Sequence, residues 1–269
     1  MNARLREQEC VMVFSDAQIA QFLQQYLFPF FRIGMLFMTM PVIGTRLVPA
    51  RVRIALAFAV TLVVVPMLPP LPVTASLSLG TFIVIAQELV IGAAVGFAFQ
   101  VVFQVFVLSG QFMAMKMGLG FASMNDPASG VQTTVLSQFY VMLVTLLFLA
   151  LNGHLVLLTL IVESFQALPP GVSSLSQENL FAVASLGSWM FAGALVISLP
   201  VLTSLLVVNI AFGIMSRAAP QLNIFAVGFP FTLICGLGLI WVGLAAFPTS
   251  YDSIMDEGFS FVHSLLSLR

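Results

Sequence analysis

The chain has 269 residues, of which 60% are hydrophobic and only 7% are charged, and its formal net charge is -1. A soluble domain of ordinary composition carries about 25% charged residues, because its surface has to be wetted. This composition excludes a water-covered globule and predicts that lipid or other protein surrounds most of the chain. The Lys and Arg residues are scattered and form no basic stripe, which argues against nucleic-acid binding.

The first 16 residues are predicted to be an N-terminal extension without fixed structure. Arg4 and Arg6 resemble the basic start of a signal peptide, but Glu7 and Glu9 follow them. The next apolar run is also too long for a signal sequence. We therefore expect no cleaved signal peptide.

About six apolar stretches follow, and most are long enough to cross a bilayer as helices. Barrel strands would alternate apolar and polar residues over about ten positions, which these runs do not do. The sequence therefore predicts an all-α integral membrane protein with about six long apolar helices. The stretches cover residues 17–43, 54–68, 79–108, 135–162, 180–215 and 224–247.

Basic residues at the ends of the stretches predict the topology. The loops after the first, third and fifth stretches hold more Lys and Arg than the other loops and the termini, which places those loops in the cytoplasm. Arg32 is different because it lies inside the first stretch, where snorkelling or a protein carbonyl could satisfy it. Arg51 and Arg53 would anchor the second stretch at the headgroups. The cytoplasmic-side residues are Arg46, Arg51, Arg53, Lys116 and Arg217.

The third stretch carries small and polar residues at every fourth position: Glu88, Gly92, Gly96, Gln100 and Gln104. Gly92 and Gly96 form a GxxxG pattern, which lets another helix approach closely, and glutamines can form hydrogen bonds across such a contact. Glu88 has two interpretations. It is either a proton-relay or ion site, as buried membrane carboxylates often are, or a paired packing residue, and we favour the second.

Residues 109–134 are predicted to be a loop rich in Gly and Met. Met113, Met115 and Met117 alternate, which is not a helical pattern, and thioether side chains repack easily. The segment is either a deformable gate or an ordinary re-entrant loop, and composition favours neither. A gate would use Phe112, Met113, Met115, Met117, Gly118, Gly120 and Phe121.

A linker rich in Pro and Ser at residues 168–179 divides the chain. Before it lies a front part, residues 17–167, and after it a rear hairpin, residues 180–249, and a tail, residues 250–269. Within the hairpin, Pro200 is a candidate kink or break.

The remaining polar residues predict no catalytic or metal site, no cofactor and no enzymatic activity. His154 has no carboxylate or second His near it in sequence, and the chain contains no hydrolase or nucleotide-binding motif. Cys10 and Cys235 match no metal-ligand spacing, and Cys235 reads as a small buried hydrophobe. Three acidic residues, Asp252, Asp256 and Glu257, are predicted to mark a solvated exit from the membrane.

Several short stretches carry a family resemblance when they are taken in order. They read VPARVRIAL at 48–56, QELVIG at 87–92, MGLGFA at 117–122, NDP at 125–127, LNGHL at 151–155 and SRAAPQLN at 216–223. Together they resemble the FliR family of type III secretion export-gate subunits, whose injectisome members are called SctT.

The resemblance implies a structural and gating subunit of the bacterial inner membrane. It does not by itself separate a flagellar basal body from an injectisome, and we favour the flagellar basal body. Such a subunit would form an export channel for unfolded flagellar substrates with FliP, FliQ and FlhB homologues. The front part would look like one FliP subunit and the rear hairpin like one FliQ subunit, with kinked hairpins. The plug loop of the family maps onto residues 110–124, which favours the gate interpretation.

Two other functions are possible for a chain of this composition, a secondary transporter and an intramembrane enzyme. A secondary transporter of a small solute would usually show internal repeats and broken helices with polar residues at the bilayer midplane, and none is evident. Only Arg32 and Glu88 place charge inside the apolar stretches. An intramembrane enzyme would need a nucleophile with a base, or a metal cluster, and neither is apparent.

Overall fold

The computed structural model describes residues 16–45, 48–68, 79–119, 134–172, 174–218 and 224–266. These residues form eight α-helices and one short 3₁₀-helix, Val65–Met67, with no strand among them, which confirms the all-α membrane class. The helices are α1 (Asp16–Thr39), α2 (Ala50–Val64), α3 (Leu79–Lys116), α4 (Val135–Ala150), α5 (Gly153–Ala167), α6 (Gln177–Ala218), α7 (Ile224–Gly243) and α8 (Phe247–Leu265).

Three helical segments in the described part of the chain are long and apolar enough to cross a membrane. They are Ala50–Met67, which combines α2 with the 3₁₀-helix, and the whole of α3 and α6. Two further pairs qualify only as bent spans. Helices α4 and α5 meet at 67°, and Val227–Gly243 of α7 meets α8 at 68°. The first apolar stretch forms α1, which is not among these candidates.

Helix α3 is the centre of the fold. It packs against α1, α4, α6 and α8. Its sequence is mainly apolar and has no continuous polar face, and its neighbours bury it on several sides. Val95, Phe99, Val105 and Phe106 are fully buried along it.

The predicted end of the third stretch near residue 108 is wrong, because α3 continues to Lys116. Phe112, Met113 and Met115 are therefore helical, and the loop begins later than expected. Unbranched Met, Ala, Gln and Lys are good helix formers, so the alternating methionines do not stop the helix.

Pro200 does not break the fifth stretch, since α6 continues from Gln177 to Ala218. The hydroxyls of Thr203 and Ser204 donate to the carbonyls of Leu199 and Pro200, both at 2.8 Å. These hydroxyls bond back to the preceding turn, whereas the carbonyl that Pro200 leaves without its helical donor is that of Val196. Of the two alternatives at Pro200, the break is therefore wrong, and the kink stays a prediction.

The fourth stretch is not one straight helix. It turns between α4 and α5 at Asn152, whose φ of 57° lies in the left-handed region. A Cβ atom at Gly153 would lie 2.5 Å from the Phe148 ring, so glycine allows the ring to cover the bend.

The residues predicted to leave the membrane as a tail are largely helical. Helix α8 buries Tyr251, Met255 and Val262 on one face. Asp252, Asp256 and Glu257 lie on its exposed face. The Nε1 atom of Trp189 in α6 donates to Glu257 Oε2 at 2.7 Å, which ties α8 to α6. The acidic residues thus form the polar face of a packed helix.

Candidate functional site

Arg32 of α1 and Glu88 of α3 form a buried ion pair in the middle of the fold. The guanidinium Nε donates to Glu88 Oε2 at 2.6 Å, and Nη2 donates to Oε1 at 2.9 Å. The two side chains are 0% and 1% exposed. The geometry is the bidentate fork in which arginine binds a carboxylate most strongly.

Helix α5 completes the surroundings of Arg32. Nη1 donates to Ser164 Oγ at 3.0 Å, and Nη2 donates to the Leu168 carbonyl at 2.7 Å. The guanidinium carbon lies 4.2 Å from the centre of the Phe165 ring, a favourable cation–π position. Arg32 therefore joins three helices, and we call Arg32, Glu88, Ser164, Phe165 and Leu168 the Arg32 cluster.

Sequence reasoning did not bring Arg32 and Glu88 together. The sequence predicts that Arg32 either snorkels to the membrane surface or bonds a protein carbonyl. It predicts no particular partner for Glu88. The signal was present, because these are opposite charges inside apolar stretches, where ionisable groups pair with one another. Ser164 and Leu168 carried no signal, since their roles depend on where α5 ends.

The glycines of the third stretch face α1 of the same chain. A Cβ atom at Gly92 would collide with the Arg32 carbonyl oxygen, and one at Gly96 would collide with Thr39 Oγ1. Both glycines are buried. Close approach of two helix backbones at small residues is typical of helix pairs in membranes. Gln100 and Gln104, further along α3, are half-buried.

The predicted gate residues differ in their burial. Met113 and Met117 are 1% and 0% exposed within the chain, whereas Met115 is 51% exposed. Phe112 is half-buried. Gly120 and Phe121 lie outside the described residues. Of the three gate methionines, Met115 is the one whose side chain is exposed to contacts from outside the described residues.

The buried thioethers connect the end of α3 to two other helices. Sδ of Met113 lies 3.9 Å from the Tyr140 hydroxyl of α4. Met117 lies over Gly236 of α7. Gly118 has a φ of 86° and faces the Phe229 ring, which a Cβ atom there would approach to 2.8 Å. This turn therefore requires glycine both for its backbone and for its neighbour.

A cavity of about 500 Å³ adjoins Met113 and Tyr140. Its far side is formed by α6 near Pro200 and by the bend between α7 and α8, including Gly243 and Phe247. The lining is mainly apolar with a few hydroxyl groups, so the cavity offers room for a side chain rather than a charged ligand.

The basic residues predicted on the cytoplasmic side differ in their contacts. Arg53 donates to the Val48 carbonyl through Nη2 at 2.8 Å and to the Thr45 carbonyl at 2.7 Å, so it holds the loop before α2. Arg51 and Arg217 are exposed. Arg217 lies in the last turn of α6, where a cation favours the helix dipole.

The described residues contain no group of three His, Cys, Asp or Glu side chains that could hold a metal ion. His154 is half-buried, and its Nδ1 atom has no hydrogen-bond partner among the described residues. Cys235 is half-buried and packs against the core, so it is less buried than predicted.

These features define a helical membrane protein whose buried polar groups join its helices together. A family model described as bacterial export proteins, family 1, matches residues 23–258. The chain therefore belongs to this family of export proteins, and the resemblance to the FliR family is confirmed.

Individual relatives agree with the family match. The chain is 35% identical over 255 residues to the flagellar biosynthetic protein FliR of Escherichia coli strain K12, covering 94% of this chain and 97% of the relative. The protein of that name from Pectobacterium carotovorum is 34% identical over 257 residues, covering 96% and 98%. The one from Aquifex aeolicus strain VF5 is 29% identical over 224 residues, covering 83% and 86%.

Membership makes the chain a membrane component of flagellar protein export, associated with other components of the export apparatus. The family is not known as one of enzymes.

Proposed function

We propose that the chain is a structural and gating subunit of the export gate in the bacterial inner membrane, at the flagellar basal body. It would form, with FliP and FliQ homologues and next to an FlhB homologue, the channel through which unfolded flagellar substrates pass. The front part, residues 17–167, would take the place of one FliP subunit, and the rear hairpin, residues 180–249, that of one FliQ subunit.

The length of α6 is the observation that carries the proposal. The helix has 42 residues, and its charged residues, Glu178 and Arg217, lie only near its two ends. At 1.5 Å per residue it is about 63 Å long, whereas the hydrocarbon core of a bilayer is about 30 Å thick. Even a tilt of about 40° would leave about 48 Å along the membrane normal. Lipid alone cannot cover this helix.

The surface of α6 is apolar and largely uncovered by its own chain. Phe181, Val196, Val207 and Ile214 are 76%, 70%, 67% and 66% exposed. They are spread over most of the helix, so an exposed apolar surface extends beyond any single bilayer. Large apolar patches outside lipid mark contacts with other proteins. Long apolar helices of sister subunits would fit this surface.

The gate would lie at the end of α3. Met115 and the half-buried Phe112 would contribute to the seal, while Met113 and Met117 would hold the segment to α4 and α7. Thioethers suit a seal that has to yield and close again, because they repack at little cost. Gly120 and Phe121 would continue the seal beyond the described residues.

Photo-crosslinking along α6 tests the proposal. A photoreactive amino acid would replace Phe181, Val196 or Ile214 in cells that assemble the export apparatus. We expect crosslinks to other protein chains from all three positions. The buried position Leu205 is the control and should crosslink only within the chain. Crosslinks to lipid alone from all three exposed positions would contradict the assembly.

A secondary transporter of a small solute is the alternative. It would work as a lone chain, with lipid as the neighbour of α6 along its whole apolar length. No contact in the described residues favours it, and the crosslinking result separates the two functions.

A further inference from the structure

The Arg32 cluster satisfies nearly all the hydrogen-bonding capacity of one arginine. A guanidinium has five N–H donors in a rigid fork and no acceptor. Four of them have partners here: two on Glu88, one on Ser164 and one on Leu168. A lysine ammonium could not reproduce this planar set of contacts.

The contact with Leu168 lies at the end of α5. Leu168 is the residue after the last helical position, and its N–H donates to the Ser164 carbonyl at 2.8 Å. Carbonyls at the end of a helix lack an intrahelical donor. Arg32 supplies one to Leu168, and its positive charge also suits the negative end of the helix dipole.

The chain beyond Leu168 is stiff. Pro169 and Pro170 have restricted φ angles and no N–H, and Pro170 is buried. Gly171 has a φ of 77°, and the Val172 N–H donates to the Pro169 carbonyl at 3.2 Å, which closes a turn. The position of the Leu168 carbonyl therefore fixes the direction in which residues 169–172 leave the end of α5.

Stability alone does not require these charges. Buried ion pairs can often be replaced by apolar residues of similar size without loss of stability, whereas removing one partner is strongly destabilising. An apolar pair could fill the same space but could not bond the Leu168 carbonyl. The charged pair thus supplies a hydrogen bond to the Leu168 carbonyl that apolar packing cannot supply.

We propose that Arg32 is a positioning residue for export. It fixes residues 168–172, the first part of the linker, to α1 and α3 and so sets where α6 starts. Glu88 holds the guanidinium in the orientation that reaches the linker. This role concerns the joint between the two parts of the chain and does not depend on the gate proposal.

The test replaces the pair by apolar residues, Arg32→Met with Glu88→Leu, in a chain whose Cys10 and Cys235 are changed to Ser. Leu168→Cys reports the linker, because the Leu168 side chain is 8% exposed and should be shielded from a maleimide reagent. Export of a flagellar substrate and the amount of chain in the membrane are measured in the same cells. Thr61→Val is the matched control, since it removes a buried hydroxyl that bonds within α2.

We expect the double variant to accumulate normally, to react with maleimide at position 168 and to lose export on the order of tenfold. The control should stay shielded and export normally. Normal export by the double variant, or continued shielding of position 168, would overturn the proposal.

Arg32→Lys covers the case in which the double variant does not accumulate. It keeps the charge but loses the fork, so position 168 should become reactive and export should fall. Normal export with a shielded position 168 would overturn the proposal. If neither variant accumulates, the cluster serves folding rather than positioning, and the proposal is also wrong.

Discussion

Met117 at the end of α3 lies directly over Gly236 in α7, where a Cβ atom would come within 2.6 Å of Met117 Cγ. The contact joins the segment that we propose as the gate to α7. A glycine two positions further on, Gly238, has no atom within 4 Å of the corresponding point. The two glycines therefore form a matched pair on one helix.

Gly236→Ala should leave the chain less stable than Gly238→Ala does, by about 1–3 kcal/mol, because only its added methyl group overpacks a contact, that with Met117. Gly238→Ala should be neutral or stabilising by up to about 1 kcal/mol, since alanine favours a helix over glycine. Thermal unfolding of the purified chain in detergent measures both. Equal shifts in Tm for the two variants would show that Met117 does not rest on Gly236.

Replacing Met113, Met115 and Met117 by Gly should make the assembled channel leak ions, because the seal loses Met115 and the segment loses the contacts by which Met113 and Met117 hold it to α4 and α7. Membrane conductance measures the leak. Met142→Gly is the control, since Met142 is 55% exposed on α4 and lies outside the predicted gate segment. Unchanged conductance in the triple variant would remove the gate assignment from this segment.

The single variants should separate sealing from packing. Met115 is 51% exposed, so Met115→Ala should increase the ion conductance of the assembled channel with little loss of stability. Met113 is buried, so Met113→Ala should cost about 2–5 kcal/mol. Unfolding in detergent and conductance are compared for the two variants. Equal losses of stability would contradict the different burial of these side chains.

Gly92→Leu and Gly96→Leu should each stop the chain from accumulating in the membrane, even in the absence of the other export subunits. Each new side chain would run into α1, at the Arg32 carbonyl or at Thr39. Gly213→Leu is the control, because nothing lies within 4 Å of the added Cβ atom. The amount of chain in membranes of cells without the other export subunits gives the answer. Normal amounts for the first two variants would show that α1 and α3 are not in such close contact.

Asn152→Val should destabilise the bend between α4 and α5 by about 1–2 kcal/mol, because a β-branched residue is strained at a φ of 57°. Asn152→Gly should be tolerated, since glycine adopts this conformation freely. Thermal unfolding distinguishes the two variants. A valine variant as stable as the glycine variant would argue against the left-handed conformation.

The sequence predicted the class and most of the apolar helices, because the positions of long uncharged runs follow from the requirements of a membrane. The end of α3 lies beyond the predicted one, because the helix propensity of unbranched methionines outweighs their alternating pattern. The Asn-Gly pair at 152–153 was a turn signal inside an apolar run, and its left-handed asparagine marks the bend. The length of the apolar run 135–162 nevertheless predicts one continuous stretch, in which this local turn signal is overlooked.

Tertiary packing explains what local patterns could not supply. The residues after 250 have a polar composition, but Tyr251, Met255 and Val262 form a buried face of α8. Helix α8 packs against α3 and α6. Opposite charges at Arg32 and Glu88 were visible in the sequence. Their meeting with the Leu168 carbonyl depends on the course of three helices and could not be predicted.

The composition of the particle purified in mild detergent tests the central claim most directly. Because α6 presents far more apolar length than a bilayer covers, the chain should be isolated together with FliP and FliQ homologues in one stable particle. A lone, stable monomer that moves a small solute across liposomes without companion chains would contradict the account.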